Sequence, residues 1–364
     1  EMLKDKGYLN AHFGKWHLGN EGFYPEDQGF DYNFGGNQTG SPKGGYFSPY
    51  KNPNILDGPK GEYLTDRLGN EVLNFIDTNQ NETFFAYVSF YSVHTPIQSK
   101  KDLQKKYSLK DGNENHNRAD YAGMIQSVDE NIGKIINKIE ELGLSENTLF
   151  IFTSDNGGIR AISNQSPLRA GKGSYYEGGI KVPLIFSWRG KIKEASKSYE
   201  RVSNIDFFPT IQNIIGYKNK DLKLDGIDLN PIFDGRKIEK RALFYHFPIY
   251  LQAYNVQEDN GTDPLFRTRP GSVIIEDNWK LHHYFENDKK ELYNIENDVS
   301  ESYDLSKVNV QKTKELFNSL NLWREANNAP IPFEKNIKYD QKFVDSINLL
   351  IIDGKLSGRI NTNW

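Results

Sequence analysis

Two apolar runs, Phe84–Phe90 and Thr148–Thr153, flank a segment in which Met124, Ile125, Val128, Ile132, Ile135, Ile136 and Ile139 recur on one helical face. Gly143 supplies the stop of that helix, Tyr121 to Gly143. The order strand, helix, strand constrains the fold more than any other feature, because strands joined by a crossover helix run parallel and bind ligands beyond their carboxyl ends. Further elements extend the pattern. Tyr8–Phe13 reads as a strand, Thr65-Asp66 as the N-cap pair of a helix carrying Leu68, Val72, Phe75 and Ile76, and Val182–Phe186 as another buried strand. The expectation is an α/β protein with a central, mostly parallel sheet and helices on both faces. Beyond about residue 241, short strands at Gly271–Ile275 and Lys280–Phe285 and a helix at Val310–Ala326 predict a smaller C-terminal α+β subdomain with antiparallel strands. The division expected is 1–240 and 241–364.

With 364 residues the chain suits one large or two unequal domains. A net charge of -4 without any like-charge block argues against general nucleic-acid binding, and no apolar run approaches the about 18 residues of a membrane span. There is no cysteine, so neither a disulfide, a thiolate metal site nor a cysteine nucleophile is present. Met2–Tyr8 reads as the last turns of a helix ended by Gly7, with its beginning lost.

The chemistry-bearing residues cluster after the strands. Asp155-Asn156, followed by Gly157-Gly158, sets two hard oxygen donors side by side, suited to Ca²⁺ or Mg²⁺, although the same residues make an ordinary turn. Ca²⁺ takes about 6–8 oxygens, so these two cannot complete a site. Lys15 and His17 in Gly14-Lys15-Trp16-His17 face one pocket if the backbone stays extended. His94, in Val93-His94-Thr95-Pro96, ends a strand where an imidazole can donate a proton or meet an anion. Lys172 lies between Gly171 and Gly173, allowing close approach to an anion, but the spacing is not that of a Walker A loop. The long Gly19–Pro59 segment, rich in Gly, Pro, Asn and Tyr, reads as an irregular pocket-shaping loop.

Taken in order, Gly-Lys-Trp-His-Leu-Gly from Gly14, Val93-His94-Thr95-Pro96, Thr153-Ser154-Asp155-Asn156-Gly157-Gly158, Arg169-Ala170-Gly171-Lys172-Gly173 and Glu177-Gly178-Gly179-Ile180-Lys181-Val182-Pro183 resemble the type I sulfatases of the alkaline phosphatase superfamily. Gln28-Gly29-Phe30-Asp31, Asp206-Phe207-Phe208-Pro209-Thr210 and Glu291-Leu292-Tyr293-Asn294 also look like that family. The resemblance implies hydrolysis of sulfate esters by a formylglycine, made from the Cys or Ser of a Cys/Ser-x-Pro-x-Arg motif, with one Ca²⁺. It further implies Asp155 and Asn156 as metal ligands, Lys15 and His17 around the formylglycine, and His94 and Lys172 on the sulfate group. The motif itself is absent, since Ser166-Pro167-Leu168-Arg169 has the wrong spacing. The expectation is that nucleophile and remaining metal ligands lie upstream and that these residues alone are inactive.

Substrate identity is expected from loops, with His246, Arg267 and Arg269 as candidate sugar and sulfate contacts. The segments Leu243–Pro248 and Arg267–Gly271 resemble bacterial polysaccharide sulfatases, which implies a sulfated oligo- or polysaccharide, of galactose or a related algal or host type, met in the periplasm or at the cell surface. Two other readings stay open: a phosphate or phosphonate monoester hydrolase of the same superfamily, and a non-catalytic protein that binds sulfated glycans.

Overall fold

The computed structural model describes residues 1–112, 116–218, 221–254, 259–261 and 266–332. A short α1 (Met2–Asp5) leads through Gly7 into β1 (Leu9–Gly14), the centre of a parallel three-stranded sheet between β2 (Tyr32–Phe34) and β3 (Phe84–Ser89). The register pairs Leu9 with Phe84, Gly14 with Ser89 and Ala11 with Tyr32. β2 was not foreseen. It lies inside the long loop, and three residues are too few to show a period against so many glycines.

Between β2 and β3 runs α2 (Leu64–Thr78), whose Leu68, Val72, Phe75 and Ile76 are buried as their spacing predicts. It starts one residue before Thr65, so the expected N-cap pair falls within the first turn. There the side chains make tertiary contacts instead: Thr65 shares a 2.7 Å hydrogen bond with Ser92, and Asp66 accepts from Lys100 at 3.0 Å and from Asn131 at 2.7 Å. α3 (Lys101–Ser108) and α4 (Ala119–Glu141) follow, and Ile135 and Ile139 of α4 join Val72, Phe75, Ala11 and Phe13 in one core.

β4 (Phe150–Thr153) and β5 (Leu184–Ser187) depart from expectation, because they pair with each other antiparallel, with Phe150 opposite Ser187. The connection explains it. Between them stands only α5 (Glu177–Ile180), too short for a crossover, so the chain returns beside itself. Neither β3 nor β4 is fully buried as read, and Tyr87 and Phe152 are exposed. Among the described residues α2 covers β1 and β3 on one side, while the other side carries an aromatic layer of His12, Trp16, Phe30 and Tyr87.

After α6 (Phe207–Ile214) and α7 (Asn230–Phe233) the chain builds an antiparallel sheet in the order β11-β10-β9-β6. Its strands are β6 (Leu243–Phe247), β9 (Gly271–Glu276), β10 (Trp279–Tyr284) and β11 (Lys289–Asn294), beside a small pair, β7 (Leu251–Gln252) and β8 (Phe266–Thr268). Strand alternation splits this sheet into two faces. Ile274, Leu281 and Leu292 pack on Leu316 and Leu320 of α8 (Val310–Ala326). Val273, Ile275 and Tyr293 pack on Ala170 and Tyr176 of the glycine-rich loop that carries Lys172. Residues 333–364 of the expected C-terminal division lie outside the described residues.

Candidate functional site

Glycines let three chain segments converge. A Cβ on Gly14, which has φ +101°, would lie 2.1 Å from the Ser89 carbonyl oxygen, and that close approach lets the Lys15 amide donate to the same oxygen at 2.8 Å. Lys15 thus leaves the carboxyl end of β1 beside β3. His94 follows β3 in a turn held by the buried Tyr46, whose hydroxyl lies 2.7 and 2.8 Å from the carbonyls of Tyr91 and His94. On the third segment, a Cβ on Gly157 would sit 1.8 Å from the Gly178 carbonyl oxygen. This contact presses the Asp155-Asn156 turn against the Arg169–Gly179 loop, and the Lys172 amide donates to the Gly158 carbonyl at 2.8 Å.

Electrostatics brings four candidates into one field. Burial pulls the Lys15 ammonium below its ordinary pKa, Asp155 opposes this, and the Lys172 cation reinforces it. Burial also lowers His94; its contact with the Thr95 carbonyl opposes the shift, Lys172 and Lys15 add to it, and Asp155 opposes it. His94 Nδ1 lies 2.9 Å from the Thr95 carbonyl and donates to it, which leaves Nε2 as its other polar atom. The same Asp155 charge raises Tyr87 after burial does.

His17 does not continue the extended backbone expected for a shared Lys-His face. Its φ is +58°, its amide donates to the Asn37 carbonyl at 3.0 Å, and its exposed ring lies against Gly40. Arg267 reaches the site, with Nη1 3.3 Å from the Lys172 carbonyl, Nε donating to Gln252 at 2.7 Å and its guanidinium 3.6 Å from the Tyr254 ring centre. His246 is engaged elsewhere: Nδ1 pairs with Ser272 at 2.8 Å and Nε2 with the Pro330 carbonyl at 3.0 Å. Arg269 is ion-paired with Glu286.

Asp155 is exposed, and the Asn156 amide nitrogen donates to the Gly157 carbonyl at 2.9 Å, so Oδ1 is the atom Asn156 offers. These are hard donors of the right type for Ca²⁺, but two do not make up its about 6–8. Among the described residues no three His, Asp or Glu side chains gather to hold a metal ion. A cavity within the long loop, about 60 Å³ and lined by residues that include Asn37, Thr39, Lys43, Asn52 and Tyr91, has room for only a few waters and includes none of the candidate residues.

What sequence reading missed lies beneath the Lys172 loop. Lys280, His282 and Glu301 are fully buried, with Lys280 Nζ 3.1 Å from Glu177 and 3.0 Å from Glu301. A lysine and a histidine alternating with Leu281 on a strand were the available signal, since charges at buried strand positions require partners.

Residues 1–217 match the family model for Sulfatase, and residues 171–326 match N-sulphoglucosamine sulphohydrolase, C-terminal. The chain is 34% identical to a sulfatase of Formosa agariphila over 91% of its own length and 70% of that protein's. It is 32% identical to mouse N-acetylgalactosamine-6-sulfatase over 68% of its length, spanning 50% of that enzyme. Among solved structures, Ps i-CgsB in complex with k-i-k-neocarrahexaose aligns at TM-score 0.72 and 28% identity, covering 98% of this chain and 78% of that one. The phosphonate monoester hydrolase of Agrobacterium radiobacter shares the fold at TM-score 0.64 and 20% identity, covering 89% and 79%. Among the described residues no helix is long and apolar enough to cross a membrane. With more than half its length matched to the family and the motifs assembled at the strand ends, the chain belongs to the sulfatase family.

Proposed function

We propose that this protein releases sulfate from a sulfated carbohydrate of galacto type, and that Lys15, His94 and Lys172 handle the sulfuryl group. The observation that carries the reading is the shared field of these three groups and Asp155 beyond the ends of β1, β3 and β4. As the S–O bond of a sulfate ester breaks, charge grows on the bridging oxygen. Fixed cations and a proton donor there stabilise the transition state more than the ground state. Lys172 and Lys15 supply the cations. Burial and the two lysines lower the pKa of His94, a bound anion offsets the lysines, and the imidazole then offers a proton from Nε2 to the leaving oxygen.

The sulfatase family typically uses Ca²⁺ and a formylglycine nucleophile. These 364 residues contain no cysteine and no Cys/Ser-x-Pro-x-Arg, so on this proposal the nucleophile comes from outside them and these residues by themselves do not turn over substrate. Arg267 is proposed to face the sugar beside Lys172. The sugar class follows the names of two relatives, the N-acetylgalactosamine-6-sulfatase and the Ps i-CgsB complex with a neocarrahexaose. Export to the periplasm or cell surface, where such polymers are met, is part of the proposal.

The test is sulfate release from sulfated galacto-oligosaccharides by the protein expressed from its whole gene, against Lys172→Ala. Release that falls at least 100-fold in the variant supports the reading. Faster cleavage of the matching phosphate or phosphonate esters would favour the other hydrolase class, and Lys172-dependent binding without release would favour a glycan-binding protein.

A further inference from the structure

The glycine-rich loop is gripped at both ends by one buried residue of the C-terminal region. At one end, Arg169 Nη1 donates to the Glu301 carbonyl at 2.8 Å and to the Tyr293 hydroxyl at 3.2 Å, while its guanidinium lies 4.0 Å from the Tyr176 ring centre. At the other end, the Glu177 amide donates to Glu301 Oε2 at 2.6 Å. The remaining carboxylate oxygen of Glu301 accepts from Lys280 at 3.0 Å and lies 3.4 Å from His282 Nε2, and Lys280 turns back to the Glu177 carboxylate at 3.1 Å. The two ends are closed on each other by the Gly178 amide donating to the Arg169 carbonyl at 2.9 Å. Glu301 itself is 0% exposed and held at φ +47°.

We propose that Glu301 is a positioning residue that sets the reach of Lys172 toward the anion. Lys172 sits midway along the gripped loop, and no side-chain contact of its own fixes it among the described bonds. Its backbone is held by the Gly158 carbonyl and by Arg267, so its position is inherited from the two clamped ends. The grip is charge-assisted and dry: one carboxylate satisfies an amide, an ammonium and an imidazole, where a neutral group would leave Lys280 with Glu177 as its one paired carboxylate among the described residues. The role of Lys172 toward sulfate rests on the reading under Proposed function; the clamp does not.

Two measurements separate these. Hydrogen exchange of the 169–180 segment tests the clamp alone: Glu301→Ala is expected to speed exchange there at least 10-fold while α2 and β1 stay protected, and Glu301→Gln, which keeps an acceptor for the Glu177 amide, to show a smaller change. Unchanged exchange in the segment overturns the proposal. Inorganic sulfate binding by calorimetry, in a cycle of Glu301→Gln with Lys172→Ala, tests the consequence. A weakening of roughly 10-fold on Glu301→Gln that vanishes in the Lys172→Ala background is expected. An equal loss in both backgrounds means Glu301 is merely structural and overturns the positioning role. Absence of sulfate binding by the unmodified protein counts against the reading of Lys172, and the exchange result then decides the clamp. Glu301→Gln carries both measurements if the alanine variant does not fold.

Discussion

The amide of Lys172 donates at 2.8 Å to the carbonyl of Gly158, so the turn holding Asp155 and Asn156 and the loop holding Lys172 form one backbone-bonded unit. A cation and a carboxylate from segments joined by no regular element longer than one helical turn are thereby held in a common field without touching each other.

Gly157→Ala breaks that unit. The new Cβ would meet the Gly178 carbonyl oxygen at 1.8 Å, and both sides of the contact are backbone. The expected outcome is a loss of about 2 kcal/mol or more in stability together with weakened sulfate binding, checked by thermal unfolding and calorimetry on the same sample. Wild-type values for both would show that the two segments are not in contact.

Anion binding is expected to take up a proton at His94. Burial and the Lys172 and Lys15 cations lower its pKa in the free protein, and a bound dianion offsets the cations, so the pKa rises on binding and affinity strengthens as pH falls. Titrating sulfate in buffers of different ionisation enthalpy reads the uptake directly, and His94→Gln should abolish it.

His283 predicts an acid limb in stability. Burial pushes its pKa down to about 4; Asp288, which accepts a hydrogen bond from its Nε2 at 2.8 Å, opposes this, and Arg324, 2.8 Å from Nδ1, reinforces it. Between about pH 6.5 and 4 the unfolded chain therefore binds a proton that the folded chain refuses, and stability falls with pH by up to about 3 kcal/mol. In urea unfolding across that window His283→Asn should flatten the slope; an unaltered slope removes His283 as its source.

Asp206 anchors the segment before β6. It is fully buried, ion-pairs with Arg241, and accepts amide bonds from Ser203 at 2.7 Å and Ile227 at 3.0 Å. Asp206→Ala leaves a cation and two amides unmatched and is expected to cost about 3–5 kcal/mol, measured by urea unfolding. A change below about 1 kcal/mol would mean that solvent replaces the carboxylate there.

Periodicity made most elements legible. The Val310–Ala326 helix has the predicted bounds, and the apolar face of α2 is the one its spacing gives, because burial of one face is a local property of the sequence; on α4 Met124, Ile135 and Ile139 are buried as expected, whereas Ile125 and Ile136 of the expected face are exposed. β2 and the antiparallel pairing of β4 with β5 were not legible. The first is too short to show a period, and the second depends on the length of regular structure in the connection rather than on the strands themselves. Of the candidate residues, Lys15, His94, Asp155 and Lys172 share one field, whereas His246 and Arg269 are spent on Ser272, Pro330 and Glu286, partners far away in sequence.

The sequence by itself determined which residue types stand after each strand and in what order, and those motifs suffice for the family. Tertiary structure alone decided that Glu301, more than 120 residues from Arg169 and Glu177, closes on both. The physical reason is that a buried charge is tolerated only where its partners arrive from elsewhere in the chain, and one-dimensional spacing carries no record of which partners those are.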